Sequence, residues 1–189
     1  GYLFNDQAVA NVMGHDTSNA SAPLFMYLAP QSSHSPLQAP QEFVERYPAD
    51  WYLDRRLYAA MCSVWDEVLG NVTAALKAKA MWDSSLVAFS ADNGGPVYWS
   101  IDKAWNGGGG ANNWPLLGGK ASNWEGGVRV AAFVSGGLVP AAMRGAKLEG
   151  YVHISDWFST FCGLAGVDPT DTSAAAHGLP PIDSLDLWP

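Results

Sequence analysis

From Asp54 to about Ala80, Tyr58, Met61, Trp65, Val68, Val72 and Leu76 recur at three- and four-residue steps, one face of a helical period. The spacing predicts a long amphipathic helix with Asp54 as its N-cap. Phe4, Val9 and Val12 predict a short helix in "FNDQAVANVMG", ended by the small, polar and proline residues of "HDTSNASAP". "ISDWFSTFCGLAG" predicts another, ending near Gly166. Between these segments the pattern changes. "LFMYLA" (Leu24 to Ala29), "SLVAFSADNGG" and "VRVAAFVSGG" hold unbroken apolar runs of strand length, the kind expected in a sheet covered on both faces. Alternating strands and helices predict an α/β fold with a mainly parallel sheet flanked by helices.

Two segments fall outside this alternation. Residues 94–119 form a long glycine-rich stretch ending in "NGGGGANNWPLLGGK", and a loop of that length inside a compact domain is usually functional. Residues 167–189, with "HGLPPIDSLDLWP", predict an extended tail with Trp188 as its anchor. The chain shows no internal repeat. Its 189 residues suit one domain, or a large piece of a bigger one.

Composition narrows the function. Hydrophobic residues make up 48% of the chain, enough for a globular core. Eighteen acidic residues against ten basic ones give a net charge of -8, which argues against a broad surface for nucleic acid or anionic lipid. An anionic substrate must then be held by a few local cations or a metal. No apolar stretch approaches the roughly 20 residues a membrane helix needs, so no span is expected. "NAS" at Asn19 and "NVT" at Asn71 are N-glycosylation sequons, meaningful in a secretory chain. Cys62 and Cys162 could form a bridge, but they lie in apolar helical patterns, where buried free thiols are the expected state.

Ligands in open α/β sheets gather beyond the carboxyl ends of strands, where three polar clusters are expected: Gln31 to His34, Asp92-Asn93, and the Lys120 region. Asp92 and Asn93 offer two hard oxygens suited to Ca²⁺ or Mg²⁺, and Gly94-Gly95 lets the backbone turn so that both face one ion. The same four residues are also ordinary turn chemistry. His34, among serines in a polar loop, is either an acid and anion contact or simply solvated. Lys120 supplies a point charge to an anion or to the surface. Glu125 and Arg129, four apart, are expected to pair with each other.

"PLFMYLAPQSSHSPLQAP", "YAAMCSVWDEVLGNVTAAL", "FSADNGG", "NNWPLLGGK", "NWEGGVR" and "HISDWFSTF", in that order, resemble the formylglycine sulfatases, most closely the arylsulfatase B type. The resemblance covers nearly the whole chain and implies an alkaline-phosphatase-like fold. It implies that Asp92 and Asn93 bind a divalent cation, normally Ca²⁺, and that His34 contacts sulfate and donates a proton to the leaving oxygen. It implies that Lys120 neutralises charge on the sulfate, and that Asn71 carries a glycan. It also implies a sulfated small molecule or glycan as substrate and a lysosomal or secreted setting. In the wider superfamily, two-metal phosphatases and phosphodiesterases generally place histidine after this aspartate, so Asn93 favours a single hard metal and sulfate esters.

Several parts of the family pattern are missing. The formylglycine nucleophile arises from a C/S-x-P-x-R motif, and this chain has none. The paired aspartates of the metal shell, and the lysine- and histidine-bearing segment after the nucleophile, are likewise absent. The chain is therefore expected to be the middle and later part of a catalytic domain, inactive alone and completed by an N-terminal segment or an assembly partner. The alternative is a non-catalytic sulfatase-like binding or structural module. Gly119, Ala121 and Ser35 depart from residues common in this type, which puts its substrate contacts in doubt.

Overall fold

The computed structural model describes residues 2–97 and 109–188. The chain forms two compact units, Gly1–Arg144 and Gly145–Pro189. In the first unit the predicted N-terminal helix is α1, Tyr2–Gly14, with Ala8 and Val12 buried one turn apart. A short helix, α2, follows at Gln41–Val44. The long helix is α3, Leu53–Ala78. Its N-cap is Tyr52 and not Asp54, which lies inside the first turn. There the Asp54 carboxylate complements the positive end of the helix dipole.

One helix organises both cores of this unit. Near its C-terminal end, Val72, Ala75 and Leu76 of α3 enclose Ala8 and Val12 of α1, with Met26, Leu28 and Val87 packed around them. Near its N-terminal end, Ala60 and Val64 enclose Phe43 and Val44 of α2. Burying each valine, leucine or phenylalanine among these contributes about 1.5–3 kcal/mol, so the period read from the sequence is the period that holds the unit together.

Neither the mainly parallel sheet flanked by helices nor the alkaline-phosphatase-like fold built on it is found. Among the described residues there is one two-stranded sheet, β1 (Val87–Ser90) with β2 (Ala132–Ser135), and its strands run antiparallel. Val87 faces Ser135 and Phe89 faces Phe133 in its register. Two of the three expected strands therefore exist, but an apolar run reports how much burial a segment seeks and not which segment it pairs with. The only helix described between them is α4, Glu125–Val128, far too short for the crossover a parallel pair requires. Nor are both faces covered, since Phe133 and Val134 remain 44% and 40% exposed.

The third expected strand, Leu24–Ala29, has the alternation of a strand without its ladder. Met26 and Leu28 pack on the α1/α3 core, whereas Phe25 and Tyr27 are 74% and 86% exposed. A surface groove beside it is lined by Leu3 and Phe4 of α1 and by Met26 and Leu28. Of the glycine-rich stretch 94–119, residues 98–108 lie outside the described residues.

The second unit is built on α5, Asp156–Ala165, which ends where Gly166 turns left-handed at φ 68°, a conformation glycine adopts without strain. The tail is not extended throughout, because it contains a short helix, α6 (Thr172–Ala176). Asp171 caps α6 by accepting the Ala174 N–H at 2.8 Å. Residues 184–187 then return to α5. The Ser184 hydroxyl donates to the Ser155 carbonyl at 2.7 Å, and the Asp156 carboxylate accepts the Leu185 N–H at 3.0 Å. The Thr160 hydroxyl oxygen accepts the Leu187 N–H at 3.0 Å. These side-chain-to-backbone contacts hold the tail to α5, and Trp188 is half-buried. Both cysteines are free as expected, but Cys62 is exposed and Cys162 half-buried.

Candidate functional site

The Asp92–Gly95 turn follows β1 directly. The Asp92 carboxylate accepts the Asn93 backbone N–H at 2.9 Å, and the Asn93 carboxamide nitrogen donates to the Gly94 carbonyl at 2.9 Å. The nitrogen end of that carboxamide is thus engaged by the protein. Gly94 donates its N–H to the Gly127 carbonyl at 2.8 Å. A Cβ at Gly94 would lie 1.7 Å from the Gly126 carbonyl oxygen, so two glycine pairs meet backbone to backbone. Only glycine allows this approach.

The same turn holds Lys120 by its backbone. The Gly95 carbonyl accepts the Lys120 N–H at 3.2 Å. It also accepts the Asn113 side-chain N–H at 2.8 Å, while the Asn113 carboxamide oxygen accepts the Gly95 N–H at 3.1 Å. Asn113 reaches the Gly118 carbonyl as well, at 3.0 Å. The Ser122 hydroxyl closes the adjoining turn by accepting the Gly119 N–H and donating to the Gly119 carbonyl. Asp92, Asn93 and Lys120 are in this way brought onto one backbone framework. Glu125 and Arg129 pair at 3.6 Å, as their spacing predicts, and both are largely exposed.

His34 sits in an exposed turn whose backbone closes through its own N–H to the Gln31 carbonyl at 3.1 Å. Its Nδ1 meets the Ser35 carbonyl at 2.8 Å. The loop is held against α3: the Trp65 indole N–H donates to the Ser32 carbonyl, and Ser33 Oγ lies 3.5 Å from Cys62 Sγ. The Tyr58 hydroxyl, one turn before Cys62 on α3, has its pKa raised by burial and, next, by the nearby Cys62 thiol. Tyr58 therefore stays a neutral phenol at physiological pH. Of the sequon residues, exposed Asn71 on α3 donates to Asn5 Oδ1 at 2.9 Å, and Asn19 accepts the Ser21 N–H at 3.1 Å in a turn.

The Sulfatase family matches the chain over residues 3–167. The chain belongs to the sulfatase family. It is 41% identical to Arylsulfatase J of Mus musculus over 173 residues, covering 91% of this chain and 26% of that relative. To N-acetylgalactosamine-6-sulfatase of Homo sapiens it is 29% identical over 168 residues, 88% of this chain and 28% of the relative. The chain thus spans little more than a quarter of these relatives' length. Among solved structures, the crystal structure of Ps i-CgsB in complex with k-i-k-neocarrahexaose superimposes on all of it with a TM-score of 0.78 and 31% identity. The match covers 37% of that chain.

The donor set tests how far this sulfatase-family chain suits the family's cation. One carboxylate and one carboxamide are hard oxygen donors of the right kind, but Ca²⁺ takes about six to eight oxygens. Among the described residues no group of three or more His, Cys, Asp or Glu is placed to hold a metal. Asp92 and Asn93 are at most part of a shell. One residue that shapes the site escaped the sequence reading. Asn113 carries no catalytic chemistry, so only its reciprocal bonds to Gly95 expose it.

Proposed function

We propose that this chain contributes the leaving-group side of a sulfatase pocket that hydrolyses sulfate esters of glycans or aryl alcohols. The observation that carries this is the joining of Asp92–Gly95 to Lys120 through the Gly95 carbonyl, because it sets a cation-seeking turn beside an ammonium-bearing residue. Lys120 neutralises the charge that grows on the sulfate and its ester oxygen in the transition state. His34 gives a proton to the departing oxygen. Asp92 and Asn93 would hold part of a Ca²⁺ shell, with Mg²⁺ as the alternative hard ion, and such an ion would supply Lewis-acid polarisation of the sulfate.

The nucleophile and the remaining ligands belong to sequence outside residues 1–189, on a complementing segment or partner. The sequons at Asn19 and Asn71 support a lysosomal or secreted setting. The test is turnover of 4-nitrophenyl sulfate by the full polypeptide containing residues 1–189, before and after chelation, with Lys120→Ala alongside. Removing one preorganised charge of this kind lowers kcat by about 10²–10³-fold, and chelation is expected to abolish turnover. Aryl sulfate hydrolysis that survives both treatments overturns the assignment. A folded polypeptide without any turnover favours the non-catalytic binding module, for which the absent C/S-x-P-x-R motif speaks.

A further inference from the structure

Tryptophan is highly buried on average, yet the two most exposed tryptophans among the described residues stand in the sequence on either side of Lys120. Trp114 is 84% and Trp124 62% exposed, with Leu117, 69% exposed, between them in the chain. Their backbones are held. The Asn112 carboxamide oxygen accepts the Trp114 N–H at 3.0 Å, and the Asn113 carbonyl accepts the Leu116 N–H at 2.8 Å. The Trp124 carbonyl accepts the Gly127 N–H at 2.7 Å. The two strips are joined where the Gly126 N–H donates to the Leu117 carbonyl at 2.7 Å. The turn that carries Lys120 is tied to the same framework: Asn113 donates to the Gly118 carbonyl, and the Ser122 hydroxyl accepts the Gly119 N–H.

An exposed indole on a fixed backbone is a pre-ordered binding surface: a flat apolar face, one N–H donor and only two side-chain torsions to immobilise. The apolar part here is small, and residues that hydrogen-bond stand beside it, exposed Asn112 and Asn123 and half-buried Lys120. That mixture does not suit the continuous hydrophobic centre of a protein interface. It suits a pyranose ring, whose C–H groups form an apolar face and whose hydroxyls line the rim. We propose that Trp114 and Trp124 form an aromatic subsite that takes the pyranose ring of a sulfated glycan, beside the sulfate neutralised by Lys120. The inference rests on the sulfatase reading of Lys120 and narrows its substrate from glycan or aryl alcohol to glycan. Lys120, a point charge, acts on the sulfate and reads nothing of the alcohol. The indoles supply that discrimination.

Competition separates what the ring contributes from what the sulfate contributes. Hydrolysis of 4-nitrophenyl sulfate by the full polypeptide is inhibited with galactose 4-sulfate, galactose 6-sulfate and glucose 6-sulfate, and with inorganic sulfate. The wild type is compared with the Trp114→Ala/Trp124→Ala double variant. In the wild type at least one hexose sulfate is expected to bind about 10-fold or more tightly than inorganic sulfate. Stacking a flat ring on an aromatic side chain is worth about 5- to 150-fold in affinity. The double variant is therefore expected to bind that hexose sulfate about 10-fold or more weakly, while its inhibition by inorganic sulfate stays within about threefold. An equal loss for hexose sulfates and inorganic sulfate, or no loss, overturns the subsite. So does a wild type that hydrolyses 4-nitrophenyl sulfate but holds no hexose sulfate better than inorganic sulfate, and that result leaves the sulfatase reading standing. A wild type without turnover of 4-nitrophenyl sulfate removes the sulfatase reading and the subsite with it. Should the double variant fail to fold, Trp114→Ala alone carries the comparison, with the same expected split between hexose sulfate and inorganic sulfate.

Discussion

Gly94 and Gly70 show how differently one residue type behaves in this chain. Gly94 has a backbone carbonyl where its Cβ would go, while around Gly70, inside α3, nothing lies within 4 Å of that position. Gly94→Ala is expected to destabilise the first unit by about 1–3 kcal/mol or more, as overpacking does. Gly70→Ala should instead stabilise it by about 0.5–1 kcal/mol through helix propensity. Urea unfolding midpoints of the two variants, moving in opposite directions, would check both. The sequence marked Gly94-Gly95 as a flexible turn, which is half of the explanation. The other half is the close approach of Gly126 and Gly127, 32 positions away, and no local pattern reports that distance. Asn113 is the same case, since its value lies entirely in the Gly95 backbone groups it pairs with.

Helices α1, α3 and α5 were legible because their signal is local: apolar spacing for the first two, and a left-handed glycine at the end of the third. Strand pairing was not legible, because a run such as "VAFS" carries no record of its partner's direction. The link between α5 and the tail was also hidden. It depends on Asp156, which is buried and accepts N–H bonds from Leu185 and His153. Those bonds, the Leu185 one foremost, hold its carboxyl below the usual carboxylate range against the opposing effect of burial. A carboxyl with a lowered folded pKa stabilises the tail above the ordinary aspartate value and loses that effect as pH falls through the lowered one. The protection of the Leu185 amide, its exchange rate relative to the intrinsic rate at each pH, is therefore expected to fall on acidification within that window. In Asp156→Asn that protection should be insensitive to this protonation, and an unchanged acid response in the variant would point to another group.

At the scale of the whole molecule, the chain leaves much apolar surface uncovered, with Tyr27 at 86% and Tyr151 at 100% exposure. No helix among the described residues is long and apolar enough to cross a membrane. Leu24–Ala29 is the hazard, an apolar segment with strand alternation and no ladder, which invites pairing with another chain. The isolated 189-residue chain is expected to self-associate in sedimentation velocity, and Tyr27→Lys should shift it toward monomer by placing a charge on the exposed row. The amino-acid sequence by itself determined the helices, the order of the polar clusters, the acidic balance and the family, because periodicity, composition and motif order are properties of neighbouring residues. Tertiary structure alone decided that β1 and β2 run antiparallel, that Leu24–Ala29 joins no strand ladder among the described residues, and that Asp92–Gly95 and Lys120 share one framework through the Gly95 carbonyl. Those outcomes depend on which distant backbone groups come within hydrogen-bonding reach, and only the folded chain fixes that.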